Sequence, residues 1–154
     1  VKKNPRVIVM ATPMTIREEK FQKLLKQFTS RAQVISLPCP GLVEFVERGE
    51  LESEALDDFL SALFAPYRDE PIDAVVLGCT HYPLIRESIQ KSLGSGVAVF
   101  DGGAGTARET LRKLKEYKIL SDSTEQGTVV FENSTGDERM IELSRYLLER
   151  KLKH

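Results

Sequence analysis

The segment AVVLGCTHYPLI, Ala74–Ile85, joins a run of β-forming residues to a polar turn and the start of a helix. Its first half, Ala74–Cys79, is apolar and uncharged, which predicts a strand buried inside a parallel sheet. Pro83 suits the first turn of a helix, which the pattern predicts over Leu84–Leu93. Cys79 therefore stands where a buried strand passes into a helix, and this position raises the question of what its thiol does.

The same alternation of strands and helices extends along the rest of the chain. Short runs rich in Val and Ile predict strands at Arg6–Ala11, Gln33–Leu37 and Val97–Phe100, with another in GTVVFEN, Gly127–Asn133. Apolar residues at helical spacing predict helices at Ile16–Phe28, Leu42–Glu47 and Glu52–Phe64, in DGGAGTARETLRKLKEY and in GDERMIELSRYLLERKL. Thr15 and Glu18 form a predicted capping box for the first of these helices. Strands that alternate with helices predict an α/β fold, a three-layer sandwich with a mainly parallel sheet flanked by helices.

The composition is that of a globular protein with balanced charge. Of 154 residues, 22 are Lys or Arg and 23 are Asp or Glu, so the net charge is -1. Without a basic excess, neither nucleic acid nor an acidic membrane surface is an expected partner. No apolar run approaches the roughly 20 residues that span a bilayer, and the first residues, VKKNPRVIVMATP, do not resemble a signal peptide. The two cysteines are therefore expected to be free thiols in a reducing cytoplasm.

Chemically capable residues follow three of the predicted strands. The stretches ATPMT, PCPG and GCTHYP come after the strands that begin at Arg6, Gln33 and Ala74. Because the carboxyl ends of parallel strands meet at one edge of a sheet, where ligands bind, these stretches are expected to converge. At that edge Cys79 would face the N-terminus of the following helix and lie near His81, and both neighbours favour a thiolate over a thiol.

The position of Cys79 alone does not establish a catalytic role. A free cysteine at the end of an apolar strand is often a core residue. Because Thr80 and His81 lie beside Cys79, a chemical role and a packing role are equally favoured for its thiol. For Cys39, between two prolines, packing in the core or in a loop is the favoured interpretation. The two cysteines lack the spacing of a CxxC pair. His81 and His154 do not complete a zinc set, so a metal site is not predicted.

Four segments of the chain resemble one enzyme family in the same order. VVLGCTHYPLI resembles the second-cysteine signature of the glutamate racemases, in the cofactor-independent aspartate/glutamate racemase superfamily. VIVMATPMTIREEKF, LPCPGLVEFVERGEL and DGGAGTARETLRKL resemble other elements of that family. The resemblance extends over nearly the whole chain, and GCTHYP is its most specific element.

This resemblance implies an isomerase that interconverts L- and D-glutamate without a cofactor. In that family two cysteines face each other across the α-carbon of glutamate, and one removes the α-proton while the other delivers a proton to the opposite face. By position, Cys79 corresponds to the cysteine that serves the L-glutamate face, Thr80 to a residue that binds the amino-acid end of the substrate, and His81 to a residue that assists Cys79 and contacts the substrate. Glu47 corresponds to a glutamate that assists the opposite cysteine, although a solvated carboxylate at a helix end is a comparably ordinary interpretation. The family supplies D-glutamate for peptidoglycan biosynthesis in the cytoplasm, and thus serves cell wall biogenesis and cell shape.

The resemblance also implies that part of the family's architecture is missing. The family's first half carries an Asp-Ser, a Tyr-Gly loop and a Cys-Asn-Thr with the partner cysteine, whereas this chain contains neither DSG nor CNT. Residues 5–98 are therefore expected to be the second α/β domain, and residues 99–154 a C-terminal segment that packs on the missing first domain. The expected partner is that N-terminal half, and the chain alone is expected to be catalytically incomplete. Apolar side chains around Leu143, Tyr146 and Leu147 would otherwise be exposed and would favour a homo-oligomer.

Two other functions remain open from the residues alone. A non-catalytic amino-acid-binding or regulatory module would keep the same cleft, and glutamate would then bind without turnover. A thiol enzyme would use Cys79 as its nucleophile and His81 as its base, and a covalent adduct at Cys79 would distinguish it.

Overall fold

Within residues 3–152, which the computed structural model describes, four parallel strands form one sheet. The strands are β1 (Arg6–Ala11), β2 (Gln33–Pro38), β3 (Ala74–Leu77) and β4 (Ala98–Asp101), in the spatial order β2-β1-β3-β4. Neighbouring strands pair in register, as Ile8 does with Ile35 on one side and Val75 on the other. The predicted α/β fold with a parallel sheet is confirmed. His154 lies outside the described residues.

Helices connect the strands, as parallel pairing requires. They are α1 (Pro13–Arg17) and α2 (Glu19–Lys26) after β1, α3 (Leu42–Glu47) and α4 (Glu54–Phe64) after β2, and α5 (Arg86–Leu93) after β3. Short 3-10 helices occupy Ala65–Tyr67 and Tyr82–Ile85. The helix α3 has the predicted limits. Ser53 caps α4, because its hydroxyl accepts a hydrogen bond from the backbone N–H of Leu56 at 3.1 Å.

The helix predicted over Ile16–Phe28 is wrong in its start and in its continuity. Thr12 caps the first turn in place of Thr15, since its hydroxyl accepts a hydrogen bond from the backbone N–H of Thr15 at 3.2 Å. Pro13 takes the first helical position, where a backbone N–H is not needed. The chain then becomes extended at Glu18, with ψ of 127°, and α2 begins at the next residue. The predicted capping box does not form because Pro13 starts the helix earlier.

The core is built on the middle of the sheet. Residues that pair in register share a face, so Ile8, Val75 and Val99 form one buried row across β1, β3 and β4. The apolar side of α4 contributes further buried side chains, namely Leu56, Leu60 and Phe64. The strand order places β4 at one edge of the sheet, and its Phe100 side chain is 57% exposed.

The chain divides into two compact units, Val1–Asp101 and Gly102–His154. The first unit contains the sheet. The second contains α6 (Gly103–Glu116) and α7 (Glu138–Leu152), which agree with the two helices predicted there. Neither α6 nor α7 contains a fully buried residue. Among residues 3–152, no helix has the length and apolar character that crossing a bilayer requires.

The strand predicted at Gly127–Asn133 is wrong. This segment has no regular secondary structure, and its Val129 and Val130 side chains are 67% and 76% exposed. β-Branched residues favour a strand only where a neighbouring strand supplies hydrogen bonds and a packed face. Within the part of the chain that the structure describes, the segment joins no sheet.

Gly78, the first residue after β3, lies against the backbone of β1. Its N–H donates a hydrogen bond to the carbonyl oxygen of Met10 at 2.7 Å, and a Cβ added to Gly78 would stand 2.7 Å from that same oxygen. We therefore expect Gly78→Ala to lower the free energy of unfolding by about 1–3 kcal/mol, the usual cost of overpacking. Urea denaturation of the variant and the parent chain measures this difference.

Gly96→Ala is the matched control. In the described structure nothing beyond its chain neighbours lies within 4 Å of a Cβ added at Gly96, so we expect a change of less than about 0.5 kcal/mol. If both alanine variants were as stable as the parent chain, the close approach of Gly78 to β1 would be refuted.

Candidate functional site

Three loops meet at the carboxyl edge of the sheet, as the strand order predicts. On one side of β1, the backbone N–H of Cys39 donates to the carbonyl oxygen of Ala11 at 3.0 Å. On the other side, the N–H of Gly78 donates to the carbonyl oxygen of Met10. These hydrogen bonds hold the PCPG and GCTHYP loops on the two sides of the ATPMT loop that follows β1.

Cys79 lies in the turn after β3. The strand ends at Leu77, two residues before its predicted end, so Cys79 is not locked into the sheet. Its side chain is half-buried, and its Sγ lies 3.8 Å from Nδ1 of His81. Cys79 is therefore not sealed in the core, and its thiol lies beside an imidazole.

Glu47 completes a row of three side chains. Gly41 turns the chain into α3 with a left-handed backbone, φ of 85°, which favours glycine. Glu47 is the last residue of α3, and its Oε1 lies 3.5 Å from Nε2 of His81. The side chains of His81 and Glu47 are 34% and 48% exposed. Cys79, His81 and Glu47, three of the site residues proposed from the sequence, are thus adjacent in space.

This row is suited to moving a proton. One nitrogen of His81 faces the thiol, and the other faces a carboxylate that stabilises the imidazole when it carries a positive charge. A proton can therefore pass between Cys79 and His81 while the charge on the ring is balanced from its far side.

Three hydroxyl groups also lie in the loops at this edge. Thr80 is exposed, next to Cys79 in the chain. Thr12 and Thr15, after β1, have their hydroxyl oxygens 2.9 Å apart. The sequence pattern predicts Thr15 only as a helix cap, and it predicts no role in the site for Thr12. The signal that identifies both is their place directly after a central parallel strand.

The sequence profile of the Asp/Glu/hydantoin racemases matches residues 1–110. The chain belongs to this racemase family. Glutamate racemase from Clostridium perfringens strain ATCC 13124 is 46% identical over 145 residues, which are 94% of this chain and 56% of that protein. Glutamate racemase from Clostridium botulinum strain Alaska E43 is 43% identical over 143 residues, 93% of this chain and 55% of that protein. The chain thus spans about half the length of the curated relatives that it matches.

Solved racemase structures share the fold. Glutamate racemase from Francisella tularensis, in complex with D-glutamate, superposes with a TM-score of 0.79 at 26% identity, covering 94% of this chain and 54% of the other. The Escherichia coli enzyme, in complex with L-glutamate and the activator UDP-MurNAc-ala, superposes with a TM-score of 0.75 at 26% identity, covering 92% of this chain and 55% of the other. The parallel four-stranded sheet with its connecting helices is therefore the fold that this chain shares with these glutamate racemases.

The second thiol of this racemase-family chain is a core residue. Cys39 is 1% exposed, and its Sγ donates to the carbonyl oxygen of Leu37 at 3.3 Å, so its predicted packing role is confirmed. Burial raises the pKa of Cys39 to about 12. Burial likewise raises the pKa of Tyr82, which is fully enclosed beside the same loops. Both groups stay neutral at the floor of the site at physiological pH.

These raised pKa values predict a loss of stability in alkali. Cys39 has an ordinary pKa of 9.0, and its value in the folded chain is about 12, so the unfolded chain releases this proton first as the pH rises. The contribution of Cys39 to the free energy of unfolding is complete below about pH 9 and is lost up to about pH 12, and this one group contributes a slope of at most about 1.4 kcal/mol per pH unit. Tyr82 acts in the same direction. Urea denaturation of the chain at a series of alkaline pH values measures the slope.

Cys39→Ala and Tyr82→Phe are the variants that test this pH dependence. Each removes one buried acid, so each is expected to make the alkaline decline of stability shallower, whatever it does to stability at neutral pH. An unchanged slope in both variants would contradict the assignment of the decline to these two groups.

No group of three or more His, Cys, Asp or Glu side chains in residues 3–152 is arranged to hold a metal ion.

Proposed function

We propose that this chain is the part of a glutamate racemase that carries one of its two catalytic thiols, Cys79. The observation that carries the proposal is the row of Cys79, His81 and Glu47 at the carboxyl edge of the sheet. Supporting it, relatives named glutamate racemase share 40–46% of their residues with this chain over about half their length. Such an enzyme would interconvert L- and D-glutamate and would need no cofactor.

In the proposed reaction Cys79 exchanges the α-proton of glutamate on one face. The thiolate of Cys79 takes the proton, so that an S–H bond forms and the Cα–H bond breaks, leaving the electron pair on the α-carbon and its carboxyl group. A thiol on the opposite face then donates its proton to that carbon, which inverts the centre. His81 returns Cys79 to the required protonation state, and Thr80 binds the amino-acid end of the substrate. The resemblance implied that Glu47 assists the opposite cysteine; because its Oε1 lies 3.5 Å from Nε2 of His81, Glu47 is proposed instead to balance the charge on His81.

Inversion needs a proton donor on the opposite face, and Cys39 does not meet that need because it is buried with a raised pKa. We assign the second thiol to the N-terminal half of the enzyme, which is the proposed partner of this chain. By itself the chain is therefore proposed to be catalytically incomplete. Of the three residues expected to be exposed, Tyr146 is exposed, whereas Leu143 and Leu147 are half-buried. The exposed Tyr146 and Leu152 of α7 support the proposed self-association into a homo-oligomer.

The proposed biological role is the supply of D-glutamate for peptidoglycan biosynthesis, and hence for cell wall biogenesis and cell shape, in the cytoplasm. The support is the family of the relatives, together with a reaction that needs only an amino acid and two thiols.

A hybrid enzyme tests the proposed function. The part of the Clostridium perfringens relative that this chain does not match is joined to this chain in place of the native second half. The hybrid is expected to racemise L-glutamate and D-glutamate, measured by circular dichroism of the amino acid, whereas this chain alone is expected to leave both isomers unchanged. A correctly folded hybrid that binds glutamate without racemising it would refute the proposal and favour a non-catalytic binding module.

A further inference from the structure

The row of Cys79, His81 and Glu47 has a second chemical capacity. A thiol, an imidazole and a carboxylate in this order are the parts of a nucleophile with its base and the group that orients the base. The two ring nitrogens of His81 face different partners: Nδ1 lies 3.8 Å from Sγ of Cys79, and Nε2 lies 3.5 Å from Oε1 of Glu47. The imidazole of His81 can therefore accept the thiol proton at Nδ1 while the carboxylate of Glu47 orients the ring through Nε2.

Access to the sulfur separates Cys79 from the other thiol of the chain. Cys79 is half-buried in a turn beside the exposed Thr80, whereas Cys39 is 1% exposed with a pKa raised to about 12. Because Cys79 is not enclosed, we expect a planar carbonyl group to reach its sulfur, whereas Cys39 would be reached only if its loop unfolded.

We propose that Cys79 accepts acyl groups from activated carboxylic esters and thioesters, with His81 as its base and Glu47 as the carboxylate that orients the imidazole. His81 takes the thiol proton at Nδ1, and the sulfur electron pair forms a C–S bond with the carbonyl carbon. The bond from that carbon to the leaving oxygen or sulfur breaks, and the leaving atom departs with the electron pair and receives the proton from His81. Water then attacks the thioester, the C–S bond breaks, and a carboxylic acid and the free thiol of Cys79 are regenerated.

This activity differs from the proposed racemisation in what it requires. Acyl transfer needs one nucleophilic thiol and its base, all present in this chain, whereas racemisation needs a second thiol on the opposite face of the substrate. The two proposals can therefore fail separately. If the hybrid racemises glutamate but Cys79 is not acylated, only the acyl-transfer proposal is refuted. If Cys79 is acylated but the hybrid does not racemise glutamate, only the racemase proposal is refuted.

The test uses the full chain and 4-nitrophenyl acetate at neutral pH. Release of 4-nitrophenolate is followed by absorbance, and the acetylated residue is identified by mass spectrometry of peptides. We expect a burst equal to the chain concentration, with the acetyl group on Cys79 and a slower steady release as water regenerates the thiol. Cys39→Ser is the control, and it is expected to acetylate at the parent rate because that thiol is enclosed.

Two further variants establish whether His81 and Glu47 take part. His81→Ala is expected to slow acetylation of Cys79 by about a hundredfold, and added imidazole is expected to restore part of the rate, which a merely structural loss would not allow. Glu47→Gln is expected to slow it by about tenfold, the loss of one charge interaction near the surface. Glu50→Gln, which removes a carboxylate paired with Arg48 near the end of the same helix, is expected to have no effect.

Acetylation confined to lysines, or a rate on Cys79 that does not change in His81→Ala, would overturn the acyl-transfer proposal. If Glu47→Gln and Glu50→Gln slowed acetylation equally, a general change in surface charge would explain the effect. Glu47 would then have no specific role in acyl transfer. Circular dichroism of each variant establishes that the fold is retained.

Discussion

Replacing Cys79 by serine is expected to lower racemisation by the hybrid enzyme by at least about a thousandfold. A serine hydroxyl is a far weaker acid than a thiol, so it does not supply the anion that removes an α-proton at neutral pH. Sγ of Cys79 is the atom that lies beside Nδ1 of His81, so the substitution removes the thiol that exchanges a proton with this ring. The rate in both directions, from L-glutamate and from D-glutamate, measures the loss.

Cys39→Ser is the matched control for this substitution. It makes the same atomic change in the other cysteine of the chain, which lies buried within the PCPG loop. We expect the hybrid to keep its racemisation rate within about twofold, provided that the variant folds. A loss in Cys39→Ser as large as that in Cys79→Ser would mean that Cys39 is the reacting thiol and would overturn the assignment of Cys79.

The two thiols are expected to differ in alkylation by iodoacetamide by at least about a thousandfold at mildly alkaline pH. Only the thiolate reacts, and the pKa of about 12 leaves Cys39 almost entirely protonated under these conditions. Burial adds to the protection, because Cys39 is 1% exposed, whereas Cys79 is half-buried beside an imidazole. Peptide mass spectrometry after timed quenching measures the two rates in the same sample.

Denaturation provides the control for the alkylation experiment. In concentrated guanidinium chloride the two thiols lose their different surroundings and are expected to react at similar rates. If Cys39 were alkylated as fast as Cys79 in the folded chain, the PCPG loop would have to open readily. The enclosure of Cys39 at the floor of the site would then be refuted.

The strands of the sheet were largely predictable, because each is a short run of apolar, β-forming residues that can be recognised without reference to the rest of the chain. Arg6–Ala11 was predicted with the limits that the structure has, and Cys79 was correctly expected at the carboxyl edge. The predictions failed for two different reasons. Pro13 and Thr12 start α1 before the predicted cap, which is a competing local interaction. Gly127–Asn133 has β-forming residues, but in the described structure it pairs with no neighbouring strand.

The fold class, the place of the GCTHYP turn and the family of the chain can be inferred from the residues alone, because periodicity and short motifs are local properties. The position of His81 between Cys79 and Glu47, and the enclosure of Cys39 but not of Cys79, are seen only in the folded chain. Glu47 comes from a helix after β2 and Cys79 from a turn after β3, and the two strands are neighbours of β1 rather than of each other. Their relative position depends on strand register and on helix packing, which are interactions between distant segments that no local pattern encodes.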